Sequence, residues 1–193
     1  MKICVVQTRP VKGDIHNNIV NHKKLIDLAI SNGADTIIFP ELSITGYEPA
    51  LAKDLATSID DNRFDIFQQM SDSMQVTIGI GAPIKNNAGT HISMILFQPH
   101  KARQMYVKKY LHADEKGFFI SGENFTGLLG TQNNIGLAIC YELSIPEHSE
   151  NAFKKGATIY IASVAKTADG VEKAIKSLSD IAVNYSMTVL MSN

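Results

Sequence analysis

The strongest constraint in this chain is an alternation. Short apolar runs, of a length that suits strands better than helices, are interleaved at both ends of the sequence with stretches of helical periodicity. Lys2–Thr8 holds the unbroken run from Ile3 to Val6 and fits a buried strand. Asp14 is placed to cap a helix through Asn32, with Ile15, Ile19, His22, Ile26 and Ala29 along one face and Gly33 as the stop. Thr36–Phe39 is a second short strand, leaving through Pro40-Glu41-Leu42 into the loop Ser43–Pro49. Asp60–Met74 reads as a helix with Phe64, Phe67, Met70 and Met74 as its core stripe. Val76–Ile84 is a strand, followed by a turn at Asn86-Asn87 and Gly89. His91–Gln98 and Arg103–Lys108 then pair as consecutive antiparallel strands. The irregular stretch Lys109–Gly127 follows, and Phe118, Phe119 and Phe125 mark it as a loop packed over a site. A strand at Ile135–Ile139, a helix at Pro146–Lys155 stopped by Gly156 and a strand at Thr158–Ala162 come next. The chain closes with a helix at Val171–Tyr185, turning Ala174, Ile175, Leu178, Ile181 and Ala182 inward, and a strand at Thr188–Met191. Helix–strand alternation at both ends with a hairpin block between implies an α/β fold, either one mixed sheet covered by helices or two sheets packed together.

The 193 residues suit one domain, 1–193, with no internal linker or repeat. A formal net charge of −1 gives no reason to expect nucleic acid or an acidic membrane as partner. No apolar run is long enough to span a bilayer, and the N-terminus reads as a strand, not a signal peptide. Cys4 and Cys140 make no disulfide framework, so a reduced, cytoplasmic setting is the expectation. No histidine–cysteine spacing points to a metal, and Gly79-Ile80-Gly81 lacks the third glycine of a dinucleotide loop, so no cofactor is expected. The chain stops two residues after a core-like strand, at Ser192-Asn193. Since a buried edge is normally covered, a further C-terminal segment is expected to be missing.

The stretch Asn134–Glu147 carries the chemistry. Its apolar run ends at Cys140 and turns polar at once with Tyr141 and Glu142. Ser144 is placed as a helix cap with Pro146 in the first turn. A thiol at the carboxyl end of a buried strand sits where open α/β sheets place their reactive groups. A nucleophilic cysteine needs a base and nearby positive charge, and the attacked carbonyl needs donors aimed at its oxyanion. Glu41 and Lys108, like Cys140, stand at strand exits. If those strands are neighbours, the three groups meet at one sheet end. Other readings stay open at this level. Cys140 can be a small core residue, Glu41 a loop carboxylate, and Lys108 a solvated lysine with Lys109 facing inward instead. Cys4 reads as core and His22 as a packed histidine. Lys166, after a strand, reads as a surface lysine or one that reaches substrate.

Three motifs together resemble the nitrilase superfamily of carbon–nitrogen hydrolases. Phe39-Pro40-Glu41-Leu42 with Thr45-Gly46-Tyr47 looks like its glutamate motif, Tyr106-Val107-Lys108-Lys109-Tyr110-Leu111 like its lysine motif, and Gly136–Glu142 with Pro146-Glu147 like its cysteine motif. The resemblance implies an α-β-β-α sandwich of mixed sheets flanked by helices, and a Glu41–Lys108–Cys140 triad. Glu41 would take the thiol proton, Cys140 would attack the carbon of a small-molecule amide or a nitrile, and Lys108 with the backbone N–H of Tyr141 would hold the oxyanion. Glu115, which competes with Asp114 and Glu123, would support Lys108 or the substrate. Loss of any triad member would cost ~2–4 kcal/mol or more of transition-state stabilisation. The same triad could transfer the acyl group to an amine, and a shortened domain could persist as a non-catalytic binding or oligomerisation module. The resemblance also implies a homodimer or higher homo-oligomer built through the helices Pro146–Lys155 and Val171–Tyr185. Two positions depart from the pattern. Glu142 stands where Asp is frequent, and Ser144 stands where an arginine binds substrate carboxylates in some members.

Overall fold

The computed structural model of the chain describes residues 1–123, 128–130 and 134–193. Its elements run β1 (Ile3–Val5), α1 (Ile15–Ser31), β2 (Thr36–Ile38), the short α2 (Ala52–Leu55), α3 (Asp65–Met74), β3 (Thr77–Lys85), β4 (Thr90–Phe97), β5 (Gln104–Val107), β6 (Ile135–Ile139), α4 (Pro146–Lys154), β7 (Ile159–Ser163), α5 (Ala168–Tyr185) and β8 (Thr188–Ser192). They form two sheets. One is mixed, in the order β1-β2-β3-β4-β5, parallel through β3 and antiparallel from β3 to β5; the other is parallel throughout, in the order β6-β7-β8.

Burial on both faces explains the nearly continuous apolar runs of β2, β3, β4, β6 and β7, whereas β1 and β8, expected as core strands, lie at sheet edges and are only partly buried. In β4, Ile92, Met94 and Leu96 enter a core shared with Ile135, Leu137, Ile139 and Ile161 of the second sheet. Ile95 and Phe97 point the other way, to Ile26 and Ala29 of α1 and Phe67 of α3. On the far side, Ala138, Tyr160 and Ala162 pack on Ala174, Leu178 and Ile181 of α5. The layers are therefore α-β-β-α, with the two sheets face to face.

Local chemistry sets the element ends. The Asp14 carboxylate accepts from the Asn17 N–H at 3.0 Å and starts α1, which stops before Gly33 at φ +77°. His22 is buried on the inner face of α1, bonded to Asn18 O at 2.7 Å and Ser43 Oγ at 2.9 Å and stacked on Phe39, as a packed histidine would be.

Several expectations are corrected. Ser144 does not cap α4; Cys140–Ser144 forms a 3₁₀ turn, Ile145 occupies the cap position without a side-chain bond, and Pro146 opens the helix. Met74 and Ile175 are exposed, because α3 ends at Met74 and because α5 covers the sheet with a narrower stripe than the sequence pattern assigned to it. Phe119 is buried but Phe118 is exposed; Phe125 lies outside the described residues. Cys4, on the edge strand β1, is only partly buried against the core.

Candidate active site

The residues singled out by their strand exits come together, but not at the end of one sheet. β2 and β5 are separated by β3 and β4, and Cys140 leaves the other sheet. Face-to-face packing of the two sheets brings Glu41, Lys108 and Cys140 together.

Glu41 is held by backbone from both sides. A Cβ on Gly81 of β3 would lie 2.3 Å from Pro40 O and 2.5 Å from Leu42 N, so the turn carrying Glu41 rests directly on that glycine. Ile44 N–H donates to Gly81 O at 3.0 Å. From the second sheet, Ser163 Oγ donates to Phe39 O at 2.8 Å. Lys108 continues β5, its N–H bonded to Ile92 O at 2.9 Å. Strand alternation puts it on the same face as Tyr106, between the sheets, and leaves Lys109 exposed.

The Lys108 ammonium donates to Glu41 Oε1 at 2.7 Å and to Glu115 Oε1 at 2.6 Å. The three residues are 0%, 2% and 1% exposed, so these are interior ion pairs. Glu115 also accepts from Tyr47 OH at 3.1 Å and from His112 N–H at 2.8 Å. Asp114, its neighbour, faces solvent beside His112. Of the other competitor, Glu123, no bond or ion pair is seen among the described residues.

Two carboxylates share one ammonium, and that sets the electrostatics. Burial disfavours charge on Lys108, but Glu41, Cys140 when ionised, and Glu115 outweigh it and hold the ammonium well above its ordinary value. Burial raises the Glu41 pKa, Lys108 pulls it down, and Glu115 pushes it up again, leaving it above the usual carboxylate range. Glu41 Oε2 has no regular hydrogen-bond partner, and the Cys140 thiol is near enough to lower the Glu41 pKa through a side-chain interaction. We take Oε2 as the oxygen open to that thiol.

Cys140 is half-buried and has φ +43°, a left-handed conformation that costs a non-glycine residue ~1–3 kcal/mol. That elbow turns the chain from β6 into the 3₁₀ turn. Burial and the Glu41 charge push the thiol up to about 12; Lys108, Lys166 and the Ala165 N–H act in the opposite sense. The resting sulfur is therefore a thiol at neutral pH, next to a carboxylate that has been made more basic. Tyr141, second in the turn, has an N–H among those that a helix start leaves without an intrahelical partner. Its ring meets His112 edge-on at 5.2 Å. Lys166 is half-buried, with its stem over Gly170 and its backbone N–H and C=O bonded to the Asn193 side chain at 2.7 and 3.2 Å. Its place is thus between the two expectations: it is not a free surface lysine, and its backbone is tied to Asn193, not to the cluster. Among the described residues no group of three or more histidine, cysteine or carboxylate side chains could hold a metal ion.

Sequence reasoning missed two supports. Gly81 enters the sequence reading only through a dinucleotide loop, although a glycine inside a strand also marks close backbone approach. Glu142 enters it only as part of the polar turn after Cys140 and as a departure from the family pattern. Three residues beyond Ile139, it stands where a capping-box carboxylate reaches back to the start of a turn.

A family model described as carbon-nitrogen hydrolase matches residues 2–184. An (R)-stereoselective amidase of Pseudomonas sp. is 26% identical over 162 residues, which are 83% of this chain and 59% of the amidase. A nitrilase of Pyrococcus abyssi is 26% identical over 164 residues, which are 82% of this chain and 63% of the nitrilase. The chain thus spans about three-fifths of these relatives' length. The crystal structure of an amidase from Nesterenkonia sp. superposes with a TM-score of 0.87 at 22% identity, covering 100% of this chain and 75% of that one. That likeness establishes the fold.

Proposed function

The chain belongs to the carbon–nitrogen hydrolase family, and on that premise we propose that it hydrolyses a non-peptide carbon–nitrogen bond, amidase-fashion, in a small molecule through a thioester on Cys140. The observation that carries the reading is the buried Glu41–Lys108–Glu115 cluster beside a thiol at a strained elbow. Interior charges of this kind are costly to maintain for stability alone.

Glu41 takes the Sγ proton as sulfur attacks the amide carbon, and the carbonyl π pair moves to oxygen. The Lys108 ammonium and the Tyr141 N–H stabilise that oxyanion. As the C–N bond breaks, the proton on Glu41 passes to the departing nitrogen, which leaves as ammonia or an amine. Glu41, again a carboxylate, takes a proton from water, whose oxygen attacks the thioester carbon. The second tetrahedral intermediate collapses with return of that proton to sulfur, releasing the acid. Glu115 keeps Lys108 charged and oriented. Because burial and the Glu41 charge favour the thiol over the thiolate, attack requires that the Sγ proton pass to Glu41.

The test is ammonia release from a panel of small aliphatic and aromatic amides, with intact-mass detection of the acyl-enzyme. Cys140→Ala should abolish both turnover and adduct, and Glu41→Gln should lower turnover by at least about a hundredfold. Full activity in Cys140→Ala would overturn the reading.

We further propose self-association through α4 and α5. Phe153, Ile175 and Val183 are exposed on these helices, and the Phe153 and Tyr185 rings lie 5.2 Å apart. Light scattering behind gel filtration decides this, and a strict monomer at high micromolar concentration would refute it. No helix among the described residues is long and apolar enough to cross a membrane.

A further inference from the structure

Behind the elbow lies a third buried carboxylate, one that the reaction scheme does not use. Glu142 is fully buried, and each of its oxygens reaches the exit of a different strand. Oε2 accepts from the N–H of Ile139, the residue before Cys140, at 2.8 Å. Oε1 accepts from the N–H of Lys109, the residue after Lys108, also at 2.8 Å. The first strand belongs to the three-stranded sheet and the second to the five-stranded sheet. One side chain therefore ties together the two chain segments that carry the sulfur and the ammonium.

A polar chain fixes Glu142 in turn. Tyr106 OH donates to its Oε2 at 2.6 Å, His148 Nε2 lies 2.8 Å from the Tyr106 oxygen, and Tyr160 OH lies 2.7 Å from His148 Nδ1. With Tyr106 giving to Glu142, the other donors follow: a neutral His148 gives from Nε2 to Tyr106, and Tyr160 gives to Nδ1. Burial keeps His148 neutral, its pKa lowered to about 4. The four residues come from β5, β7, α4 and the elbow. All four are buried, so the network lies in the protein interior.

We propose that Glu142 is a positioning residue, holding Cys140 and Lys108 in register across the two sheets through one carboxylate oxygen on each strand exit. This rests on the reading of Cys140 as nucleophile and Lys108 as oxyanion donor. The elbow explains why such a clamp is needed. Cys140 sits in a left-handed conformation that persists only where the surroundings enforce it. The Ile139 bond enforces it from the sheet side, while the Lys109 bond stops the lysine strand from sliding independently.

The test compares Glu142→Gln and Tyr106→Phe with the wild type in two assays, one of which needs no substrate. Glutamine offers one acceptor oxygen where the carboxylate offers two, so in either amide orientation one strand-exit N–H loses its partner. For acetamide hydrolysis, Glu142→Gln should lower kcat by at least about tenfold while KM stays within about threefold. Tyr106→Phe should cause a smaller loss of the same kind, and the double variant should be no worse than Glu142→Gln alone. In the second assay, iodoacetamide labels the free enzyme at pH 8 and peptide mass spectrometry reads Cys140 and Cys4 separately. Loosening the elbow lets water reach a thiol whose pKa is held up by burial. Cys140 should therefore label about tenfold faster or more, as the thiolate fraction rises faster than nucleophilicity falls. Cys4 should not change, which separates a loosened elbow from an unfolded chain. If Glu142→Gln does not fold, Tyr106→Phe decides by the same two measurements. Unchanged Cys140 labelling in a folded variant overturns the proposal, whatever the substrate proves to be. Absence of acetamide turnover in the wild type bears on the amidase reading, and the labelling result then decides the clamp by itself.

Discussion

Replacing Lys108 with methionine should destabilise the protein by ~3–5 kcal/mol at pH 7, because it leaves two interior carboxylates without their cation. The ammonium lies 2.7 Å from Glu41 and 2.6 Å from Glu115, with all three side chains removed from water. At an effective dielectric of ~20, each contact is worth ~6 kcal/mol of attraction, and desolvation of the ions offsets most of it. The net loss is therefore that of an uncompensated charge, not the gross Coulomb energy. The loss should also depend on pH in a set direction. Glu41 already binds its proton more tightly in the folded state than in the unfolded chain, and removing Lys108 takes away the group that pulls its pKa down. The folded variant therefore gains protons before the unfolded chain does as pH falls. Its deficit relative to wild type should be largest at neutral pH and shrink toward pH 5. Urea unfolding followed by circular dichroism at pH 7 and pH 5 measures both quantities. Adding Glu41→Gln and Glu115→Gln to Lys108→Met should recover most of the stability without restoring activity. A deficit under about 1 kcal/mol at pH 7, or a triple variant no more stable than the single one, would refute the reasoning.

Three further outcomes follow from the geometry. Gly81→Ala drives a Cβ into the Pro40 carbonyl and the Leu42 amide, so it should displace Glu41 and cut turnover by at least about tenfold; wild-type kcat in that variant would show that the turn can yield. Lys166→Glu reverses a charge that favours the Cys140 thiolate, so alkylation of Cys140 at pH 8 should slow by about threefold while Cys4 is unaffected, and equal rates would remove Lys166 from the field at the sulfur. His22 is held neutral by burial, its pKa lowered to about 4, so on acidification the unfolded chain takes up this proton first. The native state should lose up to ~3 kcal/mol between pH 6.5 and 4 through this one side chain. Glu41 and Glu142, whose pKa values are raised, act in the opposite sense, so the measured quantity is the difference in slope between wild type and His22→Asn; identical slopes would count against it.

The resting state of Cys140 changes how thiol reactivity should be interpreted. Fast labelling below the ordinary thiol range would mark a pre-ionised nucleophile, but burial and the Glu41 charge hold this sulfur as a thiol. Slow labelling at neutral pH is therefore what a competent general-base site should show. It does not distinguish such a site from a structural cysteine, whereas the response of the rate to Glu142→Gln and Lys166→Glu does.

Much of the architecture was legible because it follows from local periodicity. The strand runs, the Asp14 cap and the Gly33 stop all appear where the pattern put them, since each depends on neighbours in sequence. Lys108 over Lys109, open from residue type alone, follows from the period of two, which buries Lys108 with Tyr106. Met74, Ile175 and Ser144 show where periodicity stops being informative. An apolar residue at the right spacing is buried only if something packs there, and a serine before a proline caps only if the turn leaves it at the cap position.

By itself the sequence determined the element order, the helix-and-strand class and, through three motif resemblances, which carboxylate, ammonium and thiol to bring together. These depend on the residues' own periodicity and on short local strings. Tertiary structure alone decided how they meet. The three strand exits belong to two different sheets, so their convergence comes from face-to-face packing, a relation between segments distant in the chain that no local pattern encodes. It also decided that one ammonium serves two carboxylates, that Cys140 rests as a thiol, and that Glu142 spans the gap between the strands. Each of these depends on burial and on at least one partner far along the chain, as Glu41 is from Lys108 and Lys109 from Glu142, and desolvation and Coulomb energy are set by distances in space.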